Sequence, residues 1–226
     1  DLGWSAILVG NEGQDLHSNW LVEDNIVKDV AFYSIELTNT ENSIVRNNIV
    51  TGGIGVVYTT VLTENTDDGI LIQSQVHTGP GHTVNNVTVK NNIVNGSFER
   101  AGIELLAWDF TDSLTSRLDN VEVNNNSVRN ATKNISNVFS VGAGIYVFSV
   151  GANANIDDVN ITNNIFDGNS DGIQIRDLGG GTHGSIDITN NEIINSLGPS
   201  SGIRIRSGTS ASGIQVHYNY IINNIL

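Results

Sequence analysis

The chain has 226 residues, with 10 Lys and Arg against 24 Asp and Glu, which gives a formal net charge of -14. A chain of this charge repels phosphate backbones and anionic membranes, so the composition argues against nucleic-acid binding. No Cys occurs, which excludes disulfides and thiolate metal sites. No apolar run approaches the roughly 18 residues that a membrane helix needs. We expect a soluble protein with no nucleic-acid partner and no membrane insertion.

One repeated motif accounts for much of the unusually abundant Asn. The motif reads apolar-x-apolar-x-x-Asn-x-apolar, and Val87–Val94 is a clear copy. The aligned copies place one Asn in each repeat, 23 to 44 residues after the previous one: Asn25, Asn48, Asn92, Asn126, Asn164, Asn191 and Asn219. Repeats this short cannot bury a face alone, so the motif predicts stacked coils of a solenoid.

A second motif, a small residue followed by Ile, occurs once in each repeat and begins an alternating strand. Its copies are Ala6-Ile7, Ser34-Ile35, Gly69-Ile70, Gly102-Ile103, Gly144-Ile145, Gly172-Ile173 and Gly202-Ile203. Alternation separates two faces of a strand, so each Ile and the residue two positions later face inwards. Together the two motifs predict three short strands per coil.

The repeated Asn has a structural explanation. Asn tolerates the left-handed backbone region at a sharp turn, and its amide can bond to the Asn one coil above and below. We therefore expect an Asn ladder that supports the coils, and no ligand site at these residues.

The two motifs make the chain resemble the pectate-lyase-like right-handed β-helices, especially those with carbohydrate-binding and sugar-hydrolase repeats. The resemblance covers Ala6 to Ile221. It implies an all-β, single-stranded right-handed parallel β-helix of about seven coils, with strands named PB1 (the Gly-Ile strand), PB2 (the apolar pair) and PB3 (after the Asn turn). We expect residues 1–226 to form one domain, a fragment or mature portion of a longer chain. The resemblance specifies the fold far better than the activity.

The resemblance also implies a substrate groove on the outer face of PB1. Its first outward column reads Leu8, Glu36, Leu71, Glu104, Tyr146, Gln174 and Arg204, and its second reads Gly10, Thr38, Gln73, Leu106, Phe148, Arg176 and Arg206. Carboxylates, aromatic rings and Arg side chains suit a charged or hydroxylated sugar chain. The catalytic candidates are Glu36, Glu104, Tyr146, Arg176 and Arg204. The substrate-binding candidates are Gln73, Trp108, Phe148, Gln174, Arg206 and His77.

Three interpretations of this face stay open. Glu36 and Glu104 are two coils apart, so their carboxyl groups stand about 9 to 10 Å apart, near the upper end for an inverting glycosidase pair. A lyase would instead use Tyr146 or Arg204 as a base beside an Arg that neutralises a uronate. The third interpretation is that both glutamates are solvated positions on an exposed strand face. The Arg residues clustered on or next to this face favour a site.

The loops after PB1 supply further candidates. The candidates to line a sugar groove are Trp108, Phe110, His77 and His82. Trp108 could equally cap the edge of the core. Asp177 has inward parity and is interpreted as a turn cap.

No cofactor is predicted, and Ca²⁺ is the only metal considered. Asp67-Asp68 and Asp157-Asp158 are loop acid pairs, but neither has the spacing of a recognised calcium loop. The Asp-Pro-His element of the family's epimerases is missing, because this strand reads Tyr146-Val147-Phe148-Ser149.

The outward position of PB3 carries four Ile residues that predict self-association, as a homo-oligomer and plausibly a trimer: Ile26, Ile49, Ile93 and Ile165. For the whole protein the sequence predicts an extracellular or cell-surface polysaccharide-active protein, a glycoside hydrolase or polysaccharide lyase. The alternative is a non-catalytic carbohydrate-binding or structural adhesin module.

Overall fold

The computed structural model describes residues 5–10, 15–30, 32–52, 68–76, 81–109, 114–132, 141–197, 202–206 and 213–222. Every regular element in these ranges is a β-strand. The first two coils contain Ser5–Gly10 (β1), His17–Ser18 (β2), Leu21–Glu23 (β3), Ile26–Lys28 (β4), Tyr33–Thr38 (β5), Thr40–Arg46 (β6) and Ile49–Thr51 (β7). The next three contain Asp68–Val76 (β8), His82–Lys90 (β9), Ile93–Asn95 (β10), Ala101–Asp109 (β11), Ser116–Asn124 (β12), Ser127–Arg129 (β13), Ala143–Val150 (β14), Ala154–Thr162 (β15) and Ile165–Asp167 (β16). The last two contain Asp171–Leu178 (β17), Thr182–His183 (β18), Ile186–Thr189 (β19), Glu192–Ile194 (β20), Ile203–Arg206 (β21), Ile214–His217 (β22) and Tyr220–Ile222 (β23).

Three parallel sheets run the length of the molecule. PB1 has the order β1-β5-β8-β11-β14-β17-β21, PB3 follows β4-β7-β10-β13-β16-β20-β23, and the remaining strands form PB2. Each strand therefore pairs with its counterpart one coil away. This is a right-handed parallel β-helix of about seven coils, as the sequence predicted. Among the described residues, no helix is long and apolar enough to cross a membrane.

Like residues stack on like inside the solenoid. Ile70, Ile103, Ile145 and Ile173 are paired in register along PB1, and all are fully buried. Burying one such side chain contributes about 1.5 to 3 kcal/mol, so these columns are the main source of stability. The inward positions read from the alternation are confirmed in coils two to six, where they are buried, whereas Ile205, Val216 and Ile221 of the last coil are exposed.

In coils three to six, the Gly before the Ile of PB1 is explained by a close approach to PB3. A Cβ atom on Gly102 would lie 2.1 Å from Cγ1 of Val128, the inward residue of β13. A Cβ on Gly172 would likewise lie 2.4 Å from Cγ2 of Ile193. In these coils the two sheets are packed too tightly at this corner for a side chain.

The predicted Asn ladder is present, but one part of its explanation was wrong. Within the ladder, the Nδ2 atom of Asn92 donates to Oδ1 of Asn126 at 3.0 Å, and the backbone N–H of Asn92 donates to the same oxygen at 3.0 Å. The left-handed backbone belongs to the preceding residue in each coil, which is Asp24, Asn47, Asn91, Asn125, Asn163, Asn190 or Tyr218. Turn formation and ladder bonding are therefore divided between two neighbouring residues.

The outer row of PB3 is placed as predicted. Ile26, Ile49 and Ile93 are exposed, and Ile165 is half-buried. The trimer through this row stays a prediction.

Candidate functional site

A buried ion pair lies at the centre of the outer face of PB1. Arg100 directly precedes β11 and Glu104 lies within it, and Nη2 of Arg100 is 2.6 Å from Oε1 of Glu104. Both side chains are almost completely buried. Burial raises the pKa of Glu104, and the charge of Arg100 offsets this only in part. Burial works to lower the pKa of Arg100, but the charges of Glu104 and Asp68 outweigh it and hold that pKa above its usual value.

A second carboxyl group completes this centre. Asp68 begins β8, is paired in register with Ala101 and is fully buried. Its charge helps to raise the pKa of Arg100, and its side chain lowers the pKa of Glu104 against the effect of burial. Two buried carboxyl groups therefore act on one guanidinium.

Two aromatic rings and a second Arg lie next to this centre. The rings of Tyr146 and Phe148 on β14 are stacked, with centroids 4.8 Å apart and an interplanar angle of 17°. The guanidinium carbons of Arg100 and Arg176 lie 5.2 and 5.7 Å from the centroid of Phe148. Both distances are within the range of cation–π attraction.

Tyr146 is poorly suited to the base role considered for a lyase. The residue is 2% exposed, and burial raises the pKa of its hydroxyl well above the usual value. The nearby Arg100 opposes this increase without cancelling it. The hydroxyl therefore remains protonated at neutral pH, when it can donate or accept a hydrogen bond but cannot serve as a phenolate.

Glu36 has partners of its own. Its Oε1 atom accepts hydrogen bonds from Oγ1 of Thr38 at 2.8 Å and Nε2 of Gln73 at 2.8 Å, and Oε2 accepts one from Ser5. The buried Leu71 lies between Glu36 and Glu104 in the column. The interpretation of both glutamates as solvated positions is wrong, because Glu36 is 5% and Glu104 0% exposed.

The accessible aromatic and Arg side chains of the outer face of PB1 lie towards its C-terminal end. The middle of the face is covered, because Leu71, Gln73, Leu106 and Gln174 are buried with the two glutamates and Tyr146. The accessible aromatic and Arg residues are Trp108, Phe148, Arg176, Arg204 and Arg206, while the outward Leu8 is exposed at the other end of the face. The family resemblance implied a groove along the whole face, whereas the structure places the accessible aromatic and Arg side chains at one end of it.

Arg204 is anchored at this end. Its Nε atom lies 3.7 Å from Oδ1 of the buried Asp171 on the neighbouring strand β17. Arg206, two residues along β21, is exposed. We call the accessible aromatic and Arg side chains at this end the aromatic–arginine strip: Trp108, Phe148, Arg176, Arg204 and Arg206.

The candidates from the loops and strand ends after PB1 do not form one group in the structure. His77 and Phe110 lie outside the described residues. His82 is buried in β9 of PB2, so its assignment to the groove wall was wrong. Trp108 is half-buried, and its backbone N–H donates to Oγ of Ser116 at 3.0 Å. Asp177 is buried and paired in register with Ser149, in agreement with its predicted inward parity.

Among the described residues, no group of three or more His, Cys, Asp or Glu side chains is placed to hold a metal ion. Asp67 lies outside the described residues. Asp157 uses Oδ1 to accept hydrogen bonds from the backbone N–H groups of Asp158 and Ser185.

Comparisons with family models, curated proteins and solved structures find no match to this chain. The assignment of a function therefore depends on the geometry of this face.

Sequence reasoning missed one column of the face. Tyr33, Asp68 and Asp171 each lie two residues before the Ile of PB1, and Tyr33 and Asp171 occupy the same register as Asp68 along the sheet. The repeat lines these residues up as a column, but alternation gives the position two residues before each Ile the parity of the inward Ile, so the pattern alone does not assign it to the outer face. Asp68 was considered only as part of a loop acid pair.

Proposed function

We propose that this protein is an extracellular polysaccharide-active β-helix that binds an acidic glycan along the aromatic–arginine strip. The observation that carries the proposal is the accessible Phe148 ring beside Arg176, with Arg204 and Arg206 on the next coil. Aromatic faces stack on sugar rings, and guanidinium groups form paired hydrogen bonds with carboxylates. In a chain of net charge -14, Arg side chains gathered on one surface favour an anionic ligand at that place.

The likeness to the pectate-lyase-like group belongs to this proposal. It rests on the parallel β-helix, the Asn ladder and the Gly-Ile strands. In its enzymatic form, the protein cleaves the bound glycan. Glu104 would then be the candidate acid, because burial raises the pKa of its carboxyl group above the usual value.

The alternative is a binding or adhesin module without turnover. It is favoured by the burial of Glu36 and Glu104 and by the separate partners that each already has. In this form the accessible strip binds sugar while the buried acids only stabilise the sheet.

A panel of acidic and neutral polysaccharides separates the two forms. New reducing ends and the ultraviolet absorbance of unsaturated uronates are followed together, with and without Ca²⁺. Reducing ends with absorbance indicate a lyase, and reducing ends alone indicate a hydrolase. A Glu104→Gln variant that folds and loses turnover supports the acid role. If folded protein binds an acidic polymer but produces neither new reducing ends nor ultraviolet absorbance, the result supports the binding module.

A further inference from the structure

A row of apolar side chains lies beside Phe148 and Arg176 on the outer face of PB1. Trp108, Val150 and Leu178 are paired in register on β11, β14 and β17, so they follow one another at the strand spacing of about 4.8 Å. Leu178 is 45% exposed, and Trp108 and Val150 are partly exposed. We call these three residues the apolar row. It belongs to the fourth, fifth and sixth coils, away from both ends of the solenoid.

The apolar row runs parallel to the charged part of the aromatic–arginine strip. Phe148 and Arg176 come two residues before Val150 and Leu178 on the same strands, and two residues along a strand span about 7 Å on one face. The guanidinium carbon of Arg176 lies 5.7 Å from the centroid of the Phe148 ring. A ligand that lies across both rows therefore meets a positive charge on one side and aliphatic carbon on the other.

The chain turns directly after the apolar row and leaves it open on that side. Gly151 and Gly179 begin these turns, with φ angles of 96° and 74° in the left-handed region that favours glycine. The backbone N–H of Gly151 donates to the oxygen of Leu178 at 2.9 Å, which joins the two turns. The residues that follow them, Ala152 and Gly180, are exposed. None of these turn residues has a side chain larger than a methyl group, so they do not cover the row.

The apolar row disfavours a sugar that carries only hydroxyl groups. Hydroxyl groups held against aliphatic side chains lose their hydrogen bonds to water and gain none in return, which costs free energy. Val150 and Leu178 also lack the flat face on which an aromatic ring stacks a sugar. A methyl group in the same place is favourable, because its apolar surface leaves water. The two rows together fit an anionic sugar chain with small apolar substituents.

We propose that this part of the face binds an acidic glycan that carries acetyl groups, with a carboxylate on Arg176 and the acetyl methyl against Val150 and Leu178. The inference rests on the proposed function and adds a substrate class to it. An acetyl group is attached to a sugar as an O-acetyl ester or an N-acetyl amide, and both present the same methyl. Burial of one such methyl strengthens binding about fourfold.

Two pairs of polymers that differ in acetylation test the substrate class. The first pair is alginate, a polymer of uronates, with and without chemical O-acetylation. The second is hyaluronan and a derivative in which N-formyl groups replace the N-acetyl groups, so that only the methyl is lost and the charge is unchanged. In affinity electrophoresis, we expect the acetylated member of at least one pair to retard wild type at an about fourfold lower polymer concentration. The pair that shows the preference identifies the O-acetyl or the N-acetyl group as its source.

Polar substitutions in the apolar row supply the matched variants. Val150→Thr and Leu178→Asn change the side-chain volumes little, and both positions are partly exposed, so the variants are expected to fold, which thermal unfolding checks. Each variant should lose the preference for the acetylated polymer. Ile49→Thr makes the corresponding change at an exposed position of PB3 and should retain the preference.

The outcomes separate this inference from the function on which it rests. If wild type is retarded equally by both members of each pair, or more strongly by the members without acetyl groups, the inference is overturned and glycan binding stands. A preference that persists in both Val150→Thr and Leu178→Asn also overturns it. Wild type that is retarded by none of the polymers contradicts glycan binding itself, and the inference with it.

Discussion

Nη2 of Arg100 lies 2.6 Å from Oε1 of Glu104, with both side chains buried under the outer face of PB1. Removing one partner of a buried ion pair leaves an uncompensated charge and costs about 3 to 5 kcal/mol. We therefore expect Arg100→Met to lower the free energy of unfolding by that amount in urea denaturation. The double variant Arg100→Met/Glu104→Gln should lose less than the single variant, since it leaves only the carboxylate of Asp68 without the guanidinium instead of two carboxylates. Equal losses in both would show that the ion pair is not the cause.

The Asn ladder should be most sensitive to substitution in its middle. Nδ2 of Asn126 donates to the backbone oxygen of Val89 at 2.9 Å, and its Oδ1 accepts from Asn92 at 3.0 Å. Asn126→Ala leaves these buried groups without partners, at about 1 to 3 kcal/mol for each group. We expect a loss of at least about 3 kcal/mol in urea denaturation. Asn219→Ala, at the partly exposed end of the ladder, is the control and should lose less than half as much.

Tyr218 occupies the turn position that holds Asn or Asp in the other six coils. Its φ is 56°, a region that costs most residues with a Cβ roughly 1 to 2 kcal/mol and that Asn tolerates. Tyr218→Asn is therefore expected to stabilise the fold by about 1 kcal/mol in thermal or urea unfolding. The control is Tyr220→Asn, because Tyr220 is also exposed but is not in this region. Equal effects of the two substitutions would contradict the explanation.

His183 should make the fold sensitive to acid. It is buried, its Nε2 atom lies 3.3 Å from Oγ of Ser149, and burial lowers its pKa from 6.5 to about 4 despite the nearby Asp177. Between these values the unfolded chain binds more protons than the folded one. This contribution to stability is therefore complete above pH 6.5 and lost as the pH falls towards 4. The total loss is about 3 kcal/mol.

Unfolding in urea at pH 7, 5.5 and 4 measures this effect. Other groups also titrate in this range, so the informative quantity is the difference between wild type and His183→Leu. Leu suits the site, since His183 occupies the inward column of Leu118 and Ile156. The variant should lose less stability than wild type as the pH falls, whereas His217→Gln, at an exposed His, should follow wild type. Parallel curves for wild type and His183→Leu would contradict the assignment.

The inward columns could be predicted because alternation and burial act on the same residues. Ile103 and Val123 face the core for a reason that the sequence contains, and stacking then fixes their register. The outward positions carry no such constraint. Nothing in the alternation distinguishes Glu104, which is covered, from Arg206, which is exposed. Burial of an outward residue depends on which segments cover the outer face of the sheet. The repeat pattern contains no information about these segments.

The most direct test of the proposed function is affinity electrophoresis through gels that contain acidic or neutral polysaccharides. We expect wild type to be retarded by at least one acidic polymer, and Phe148→Ala and Arg176→Ala to be retarded much less at equal fold stability. Ile93→Ala, on PB3, should migrate as wild type does. Wild type that is retarded by none of the polymers, or Phe148→Ala that is retarded as strongly as wild type, would contradict glycan binding at the aromatic–arginine strip.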